Sequence, residues 1–327
     1  MALLHGDPLN VPDKKDSRVE RFISACYLWL CHELLITSRM LKSNAGASLA
    51  VWMVGVFARL IANPQPILTT LAIITESLFD SFIFAYVFDI LNQVTSVEED
   101  ALNKPHRPIP AGLLTMRGAR IRLILSWLLS FPVISAVTGR EASHLLFLWE
   151  LWTLFCYVWP RINHPFFRNA FAGVGTYMMY RWIDLIICNH VSNASIWHGF
   201  DALFAVWVFL TCQLQEFHDV DGDRKAGRRT LPVILSADAR LKLRRYTATF
   251  MLYAAFICLR WVDLGQYSGA TYVKLFVSAC LLLYTCIVIA LRVWVPRSKE
   301  YDEHTYKVYY IIASCLFSLY LRIVGSS

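Results

Sequence analysis

The sequence predicts an all-α polytopic membrane protein of about nine transmembrane helices, and three observations predict it. Hydrophobic residues make up 57% of the 327 and charged residues only 17%, well away from the balance of a soluble domain. Unbroken apolar runs of about 20 residues, enough to cross the hydrocarbon of a bilayer, recur along most of the chain. Alternating ten-residue strands are not visible, so helices must satisfy the backbone where water is absent.

Taken in order, the spans are expected at residues 40–62, 66–93, 118–138, 143–159, 168–190, 197–217, 243–263, 271–295 and 305–324. Residues 22–37 are apolar but short and interrupted by His32 and Glu33, which reads as an amphipathic lead-in helix. Residues 1–39 are therefore a cytosolic tail with that helix, and 40–327 the membrane domain. The first twenty residues are polar, with Pro8, Pro12 and Lys14-Lys15-Asp16, unlike a cleaved secretory signal.

Nine spans put the N-terminus and the loops after spans 2, 4, 6 and 8 on one side. That side collects most of the basic residues, from Lys14, Lys15, Arg18 and Arg21 through Lys104 to Arg122, Arg161 and Arg168, Arg224 to Arg245, and Arg292 to Lys307. The other receives mainly Arg59, Arg140, Arg260 and Arg322. The imbalance assigns the first side to the cytosol. Arg240 to Arg245 fit either that topological role or a catalytic one. The formal charge of +7 is thus topological, and no nucleic-acid partner is expected, because basic-aromatic surfaces are absent. The nine cysteines are scattered through apolar spans without a CxxC, so they read as small packing residues. Asn193-Ala194-Ser195 is a glycosylation sequon too near the bilayer to expect its use.

Two polar clusters carry the chemistry. Span 2 ends in Asp89-Ile-Leu-Asn92-Gln93-Val-Thr-Ser96-Val-Glu98-Glu99-Asp100. If the helix continues that far, Asn92, Ser96, Glu99 and Asp100 fall within about a quarter turn of one another, Asp89 joins the same arc, and Glu98 points to solvent. Span 6 ends in Gln215-Glu216-Phe-His218-Asp219-Val-Asp221-Gly222-Asp223. Glu216, Asp219 and Asp223 stand at i, i+3 and i+7 on one face, with Asp221 on the far side. Carboxylates so placed repel unless a cation sits among them, and hard oxygen donors with open positions suit magnesium, Mg2+. Lys104 and Arg107 follow the first cluster; Arg224, Lys225, Arg228 and Arg229 follow the second. Metal and cations together can hold a departing pyrophosphate. The bland reading of either cluster alone is a solvated helix cap; two matched clusters on one side favour the site.

Asn103-Lys-Pro-His-Arg-Pro-Ile-Pro110, and Asp219-Val-Asp-Gly-Asp-Arg-Lys-Ala-Gly227 with Thr230-Leu231-Pro232, resemble the two signatures of the UbiA superfamily of intramembrane prenyltransferases. The resemblance covers nearly the whole chain from about residue 40. It implies a nine-helix bundle around a central cavity open to the membrane, with a prenyl diphosphate and magnesium at its cytosolic end. The family's first motif is usually Asn-Asp-x-x-Asp-x-x-x-Asp; here Gln93 and Ser96 replace two aspartates, which leaves magnesium binding weighted toward the second cluster. This variant is similar to a fungal branch of membrane-bound terpene cyclases in secondary metabolism that convert farnesyl diphosphate to a sesquiterpene.

The resemblance implies that Asn92, Asp100, Glu216, Asp219 and Asp223 are catalytic, holding metal with Glu99, and that Lys104, Arg107, Arg161, Arg224, Lys225 and Arg228 contact diphosphate. A prenyltransferase serving an aromatic or polyketide acceptor begins with the same ionisation and stays open, as does an ion-coupled transporter. Aromatic residues on spans 2 and 5, such as Phe84, Phe88 and Tyr180, either pack or steady a carbocation. Asp80 is expected to look into the cavity, and Arg181 with Asp184 to form a structural ion pair. The remaining expected partners are the lipid bilayer and other enzymes of the same biosynthetic pathway, and the expected location is the endoplasmic reticulum.

Overall fold

The computed structural model describes residues 18–42, 44–160, 163–192, 198–225, 227–265 and 267–325, and among these every regular element is helical. The lead-in helix α1 (Arg18–Leu41) is followed by a π turn at Gly46–Ala50 and by α2 (Val51–Ala62). Pro64 and Pro66 then break the chain, since proline supplies no N–H and holds its predecessor extended, and α3 (Ile67–Thr95) begins. The short α4 (Val97–Asn103) precedes α5 (Met116–Val137), whose N-cap Thr115 accepts a bond from the Gly118 N–H. Gly139, at φ 110°, turns the chain into α6 (Arg140–Tyr157), and α7 (Pro165–His190) starts on a proline at its first position. Then come α8 (His198–Thr211) with a 3-10 turn at Cys212–Gln215, and the short α9 (Val220–Lys225) and α10 (Leu231–Ile234). The chain closes with α11 (Ala237–Leu264), α12 (Gly269–Val293), α13 (Lys299–His304), a π turn at Thr305–Tyr310 and α14 (Ile311–Gly325).

Each of the nine expected intervals holds one of α2, α3, α5, α6, α7, α8, α11, α12 and α14. These pack in chain order, each on the next, and α14 packs on α2, so that the bundle closes into a ring. By length and composition alone, four helical stretches are long and apolar enough to cross a membrane: Ile67–Thr95, Met116–Val137, Gly269–Val293 and Lys299–Gly325. The others are shorter, or carry charges such as Glu150 on α6 and Arg181 and Asp184 on α7. Outward faces are apolar; on α5, Ile124, Leu128 and Leu129 are at least half exposed, a surface that suits acyl chains better than water. The lead-in helix is longer than the expected 22–37. Ile36 and Met40 are buried in a cluster with Ile90 and Ala119, while Phe22, Leu28 and Trp29 stand exposed.

The core lies where α2, α3 and α7 meet, with the Trp52 ring 5.6 Å from both Phe84 and Trp182. Buried charges there find partners the local sequence did not indicate. Asp184 is gripped by Arg322 of α14 at 2.8 Å and by Arg59 of α2 at 3.4 Å, which corrects the expected Arg181–Asp184 pair. Arg322 also holds Asp201 of α8 at 2.7 Å. Asp80 does not face the cavity: it is fully buried and accepts bonds from Thr138 (2.6 Å) and Trp182 (2.8 Å). Arg244 pairs with Asp302 at 2.6 Å and binds the Val293 carbonyl, tying α11 to α12 and α13. The sequon and Arg161 lie outside the described residues.

Candidate active site

A cavity of about 230 Å³ runs into the ring from the end that carries both acidic clusters. Its polar head is formed by Asn44, Asn92, Lys104, Arg168, Gln215, Glu216 and Arg228. Deeper, the walls are apolar and aromatic: Phe84, Phe88, Trp149, Tyr157, Phe171, Phe204, Tyr306 and Tyr310 line it with Met179 and Val208. Several of these rings brace one another, Phe84 stacking on Trp149 at 4.5 Å and Trp149 tilting on Phe171 at 5.2 Å. The irregular turns serve this cavity. Ser48 comes from the first π turn, Gln215 from the 3-10 turn, and Tyr306 and Tyr310 from the second π turn. Such departures from the α-helical ladder are tolerated where backbone borders a cavity.

Neither acidic cluster lies on one continuous helix, which corrects the single-face expectation. Ser96, at φ −126° and ψ 31°, ends α3 and begins α4, and the chain leaves helical form between Gln215 and α9. The physical reason is charge. A continuous helix would stack carboxylates one turn apart, whereas with the breaks each stands against a cation, Arg228 being shared by Glu99 and Asp223. Asp100, 1% exposed, accepts two bonds from Arg107 at 2.8 and 2.6 Å. Glu216 accepts from Arg168 Nε at 2.7 Å. Asp219 has Lys299 at 3.8 Å. Arg228 reaches both clusters, bonding Glu99 and standing 3.3 Å from Asp223.

The structure therefore brings together Asn92, Lys104, Glu216 and Arg228 at the cavity head, with Glu99 and Asp223 behind Arg228. Asp100 and Arg107 are not among the residues lining the cavity; they are buried as an ion pair with each other. Arg224 and Lys225 are exposed, Arg224 pairing with the still more exposed Asp221, so the structure does not bring these two expected diphosphate contacts to the cavity. Glu98 is exposed as expected. Arg168, weighed from sequence only for its place near the loop after span 4, proves to be a head residue. Asn44 was not foreseen, since a lone amide in a polar stretch carries no motif, and Gln215 opened the second cluster without a role assigned to it. Asn44 donates to the buried Asp89, which fixes the first π turn against α3.

Burial raises the Glu99 carboxyl above the usual carboxylate range, against the pull of Arg228. Burial also lowers the Lys104 ammonium, with Arg107 next in effect. Both shifts mark a desolvated, crowded head. Among the described residues no three acidic, imidazole or thiol groups gather as a metal-holding set. The head residues fit magnesium, which takes one or two carboxylates and fills its shell with water and phosphate oxygens. Glu216 Oε2 is buried without a hydrogen-bond partner, an acceptor of the right chemistry on a residue that lines the same cavity as Asn92.

Comparison with known proteins decides the family: the sequence pattern of the UbiA prenyltransferase family matches residues 47–315. The chain belongs to that family. The polyprenyl transferase eriF of Hericium erinaceus is 31% identical over 69% of this chain and 73% of its own length. The diterpene cyclase eriG of the same organism is 26% identical, covering 74% and 73%. A solved structure of a digeranylgeranylglyceryl phosphate synthase superposes with a TM-score of 0.58 at 17% identity, over 90% of this chain and 98% of that one, a likeness of fold alone. This UbiA-family chain is thus an integral membrane enzyme of the prenyltransferase or terpene-cyclase kind.

Proposed function

We propose that the chain is a magnesium-dependent terpene cyclase that ionises farnesyl diphosphate, closes the farnesyl cation on its own double bonds and releases pyrophosphate. The observation that carries the reading is the gradient along one cavity: cations and oxygen donors at the head, aromatic and apolar rings below. In this reading the diphosphate seats against Lys104, Arg168 and Arg228, and these cations take up the charge that builds as the C1–O bond breaks and its electron pair leaves with pyrophosphate. Asn92 and Glu216, with Asp223 behind them, would hold magnesium, which supplies further positive charge to the phosphate oxygens. Faces of Phe84, Phe88, Trp149 and Phe171 can steady the allylic cation and keep water from it. Pyrophosphate accepts the final proton, consistent with a lower cavity that lacks a conspicuous base. The farnesyl length rests on the Gln93–Ser96 variant of the first motif, and the basic loops support placing the head on the cytosolic face of the endoplasmic reticulum.

Membranes containing the protein, given farnesyl diphosphate and magnesium without acceptor, are expected to yield a cyclic hydrocarbon by gas chromatography–mass spectrometry. An Asp219→Ala, Asp223→Ala variant is expected to yield none. Unconsumed substrate in the wild type would overturn the farnesyl cyclase reading. A second reading, transfer to an acceptor, is favoured by one observation: a polar recess shares Tyr157, Arg168, Phe171 and Arg228 with the cavity and extends to Asn163, His164 and Arg229. Consumption of substrate only when an aromatic acceptor is supplied would select it.

The wall itself supplies another expectation. A Cβ added at Gly175 would lie 2.9 Å from Trp149 Cζ3, and that ring is already held by Phe84 and Phe171. Gly175→Ala should push the indole into the cavity, at a cost of about 1–3 kcal/mol. The check is a raised KM for the prenyl substrate and an altered product distribution, with Gly46→Ala, where an added Cβ meets nothing within 4 Å, as the neutral control.

A further inference from the structure

The geometry points to Asn163 as a positioning residue that latches the loop bearing Arg228 and so holds the two acidic clusters in register. Helix α9 ends in a Schellman turn: the Gly227 N–H reaches the Arg224 carbonyl at 3.2 Å and the Arg228 N–H reaches the Asp223 carbonyl at 2.8 Å. Gly227, at φ 67°, supplies the left-handed residue the turn requires. This fixes where the loop leaves the helix but not where the next peptide unit goes. That is set from across the site by the loop between α6 and α7. Asn163 Nδ2 donates to the Gly227 carbonyl at 2.8 Å, and Asn163 Oδ1 accepts from the Arg229 N–H at 2.8 Å.

One side-chain amide therefore holds the backbone on both sides of Arg228, in the manner of a β-bridge made by a side chain. The consequence lies in where Arg228 goes. Its guanidinium reaches Glu99 after the break in the first cluster and Asp223 in the second, and it lines both the cavity head and the adjoining recess. A planar, forked guanidinium needs its Cα placed closely to serve two carboxylates and an incoming anion together. The Asn163 amide bonds to the backbone of Gly227 and Arg229 and, among the described residues, to neither acidic cluster. It acts through Arg228. This role rests on the reading that Arg228 grips the leaving diphosphate.

The test is a double-mutant cycle between Asn163→Ala and Arg228→Ala on the full chain in nanodiscs, read by magnesium-dependent pyrophosphate release and by amide hydrogen exchange over residues 227–230. Asn163→Ala is expected to lower kcat/KM on the order of tenfold and to speed exchange at Arg229 by a similar factor. In the Arg228→Ala background the same change should cost less than about twofold, because a latch has no effect once the side chain it positions is gone. Asn163→Asp, which keeps the acceptor for the Arg229 N–H but loses the donor to Gly227, should fall between wild type and alanine. A merely structural loop residue would give losses that multiply across the cycle, and that outcome overturns the proposal. So does unchanged exchange at Arg229 in Asn163→Ala. If the wild type releases no pyrophosphate from farnesyl or geranylgeranyl diphosphate, the functional reading fails instead, while the exchange arm still decides whether the latch exists.

Discussion

Glu216→Ala is expected to lower pyrophosphate release from a prenyl diphosphate by roughly 10²–10³-fold, the scale of losing one preorganised group at a developing charge. Glu216 is 4% exposed, its Oε1 is held by Arg168 at 2.7 Å and its Oε2 is buried without a partner. An acceptor kept bare in that way is costly unless something cationic completes it. Glu216→Gln keeps an acceptor for Arg168 but removes the charge, so it should lose nearly as much turnover as alanine while leaving the protein better folded. Asp221→Ala, a carboxylate 87% exposed in the same motif, should stay within about twofold of wild type, as surface changes away from a site do. Steady-state pyrophosphate release on matched amounts of monodisperse protein checks all three. A Glu216→Ala enzyme within threefold of wild type would move the reacting end away from this head.

The contrast between buried Glu216 and exposed Asp221 was legible in the sequence, although the side-chain directions that suggested it belong to a helix that is broken between the two. So were the nine helical intervals, since each apolar run must bury or meet lipid along its own length. What the sequence did not disclose is where the helices stop being helices. Ser96 and the stretch from Glu216 to Asp219 look helical by composition, and only the mutual repulsion of their neighbours and the positions of Arg107, Arg168 and Arg228 account for the breaks. Arg224 and Arg228 sit one turn apart with identical chemistry, yet one pairs at the surface and the other bridges the site. That distinction is made by Gly227 and by Asn163, 64 residues away along the chain. Local sequence likewise suggested Arg181 for Asp184, and the actual partner, Arg322, is 138 residues distant.

Arg322→Met is expected to be the most destabilising single change in the bundle, on the order of 3–5 kcal/mol, because it leaves buried carboxylates short of a cation. Arg322 is 2% exposed and joins α14 to Asp184 of α7 and Asp201 of α8, while its guanidinium lies 4.9 Å from the centre of the Tyr180 ring. Asp184 and Asp201 are fully buried, and each has one oxygen without a hydrogen-bond partner. In Arg322→Met, two carboxylates across this junction of α2, α7, α8 and α14 are left to Arg59 and, at longer range, Arg181. Adding Asp201→Leu to that variant removes the excess charge and leaves Arg59 with Asp184. The double variant should therefore be more stable than Arg322→Met alone, an inversion that simple loss of contacts does not produce. Thermal unfolding in detergent, followed by the fraction remaining monodisperse, reads the order directly. If Arg322→Met, Asp201→Leu proves less stable than Arg322→Met, packing around the guanidinium stem outweighs charge balance, and the ionic account of this junction is wrong.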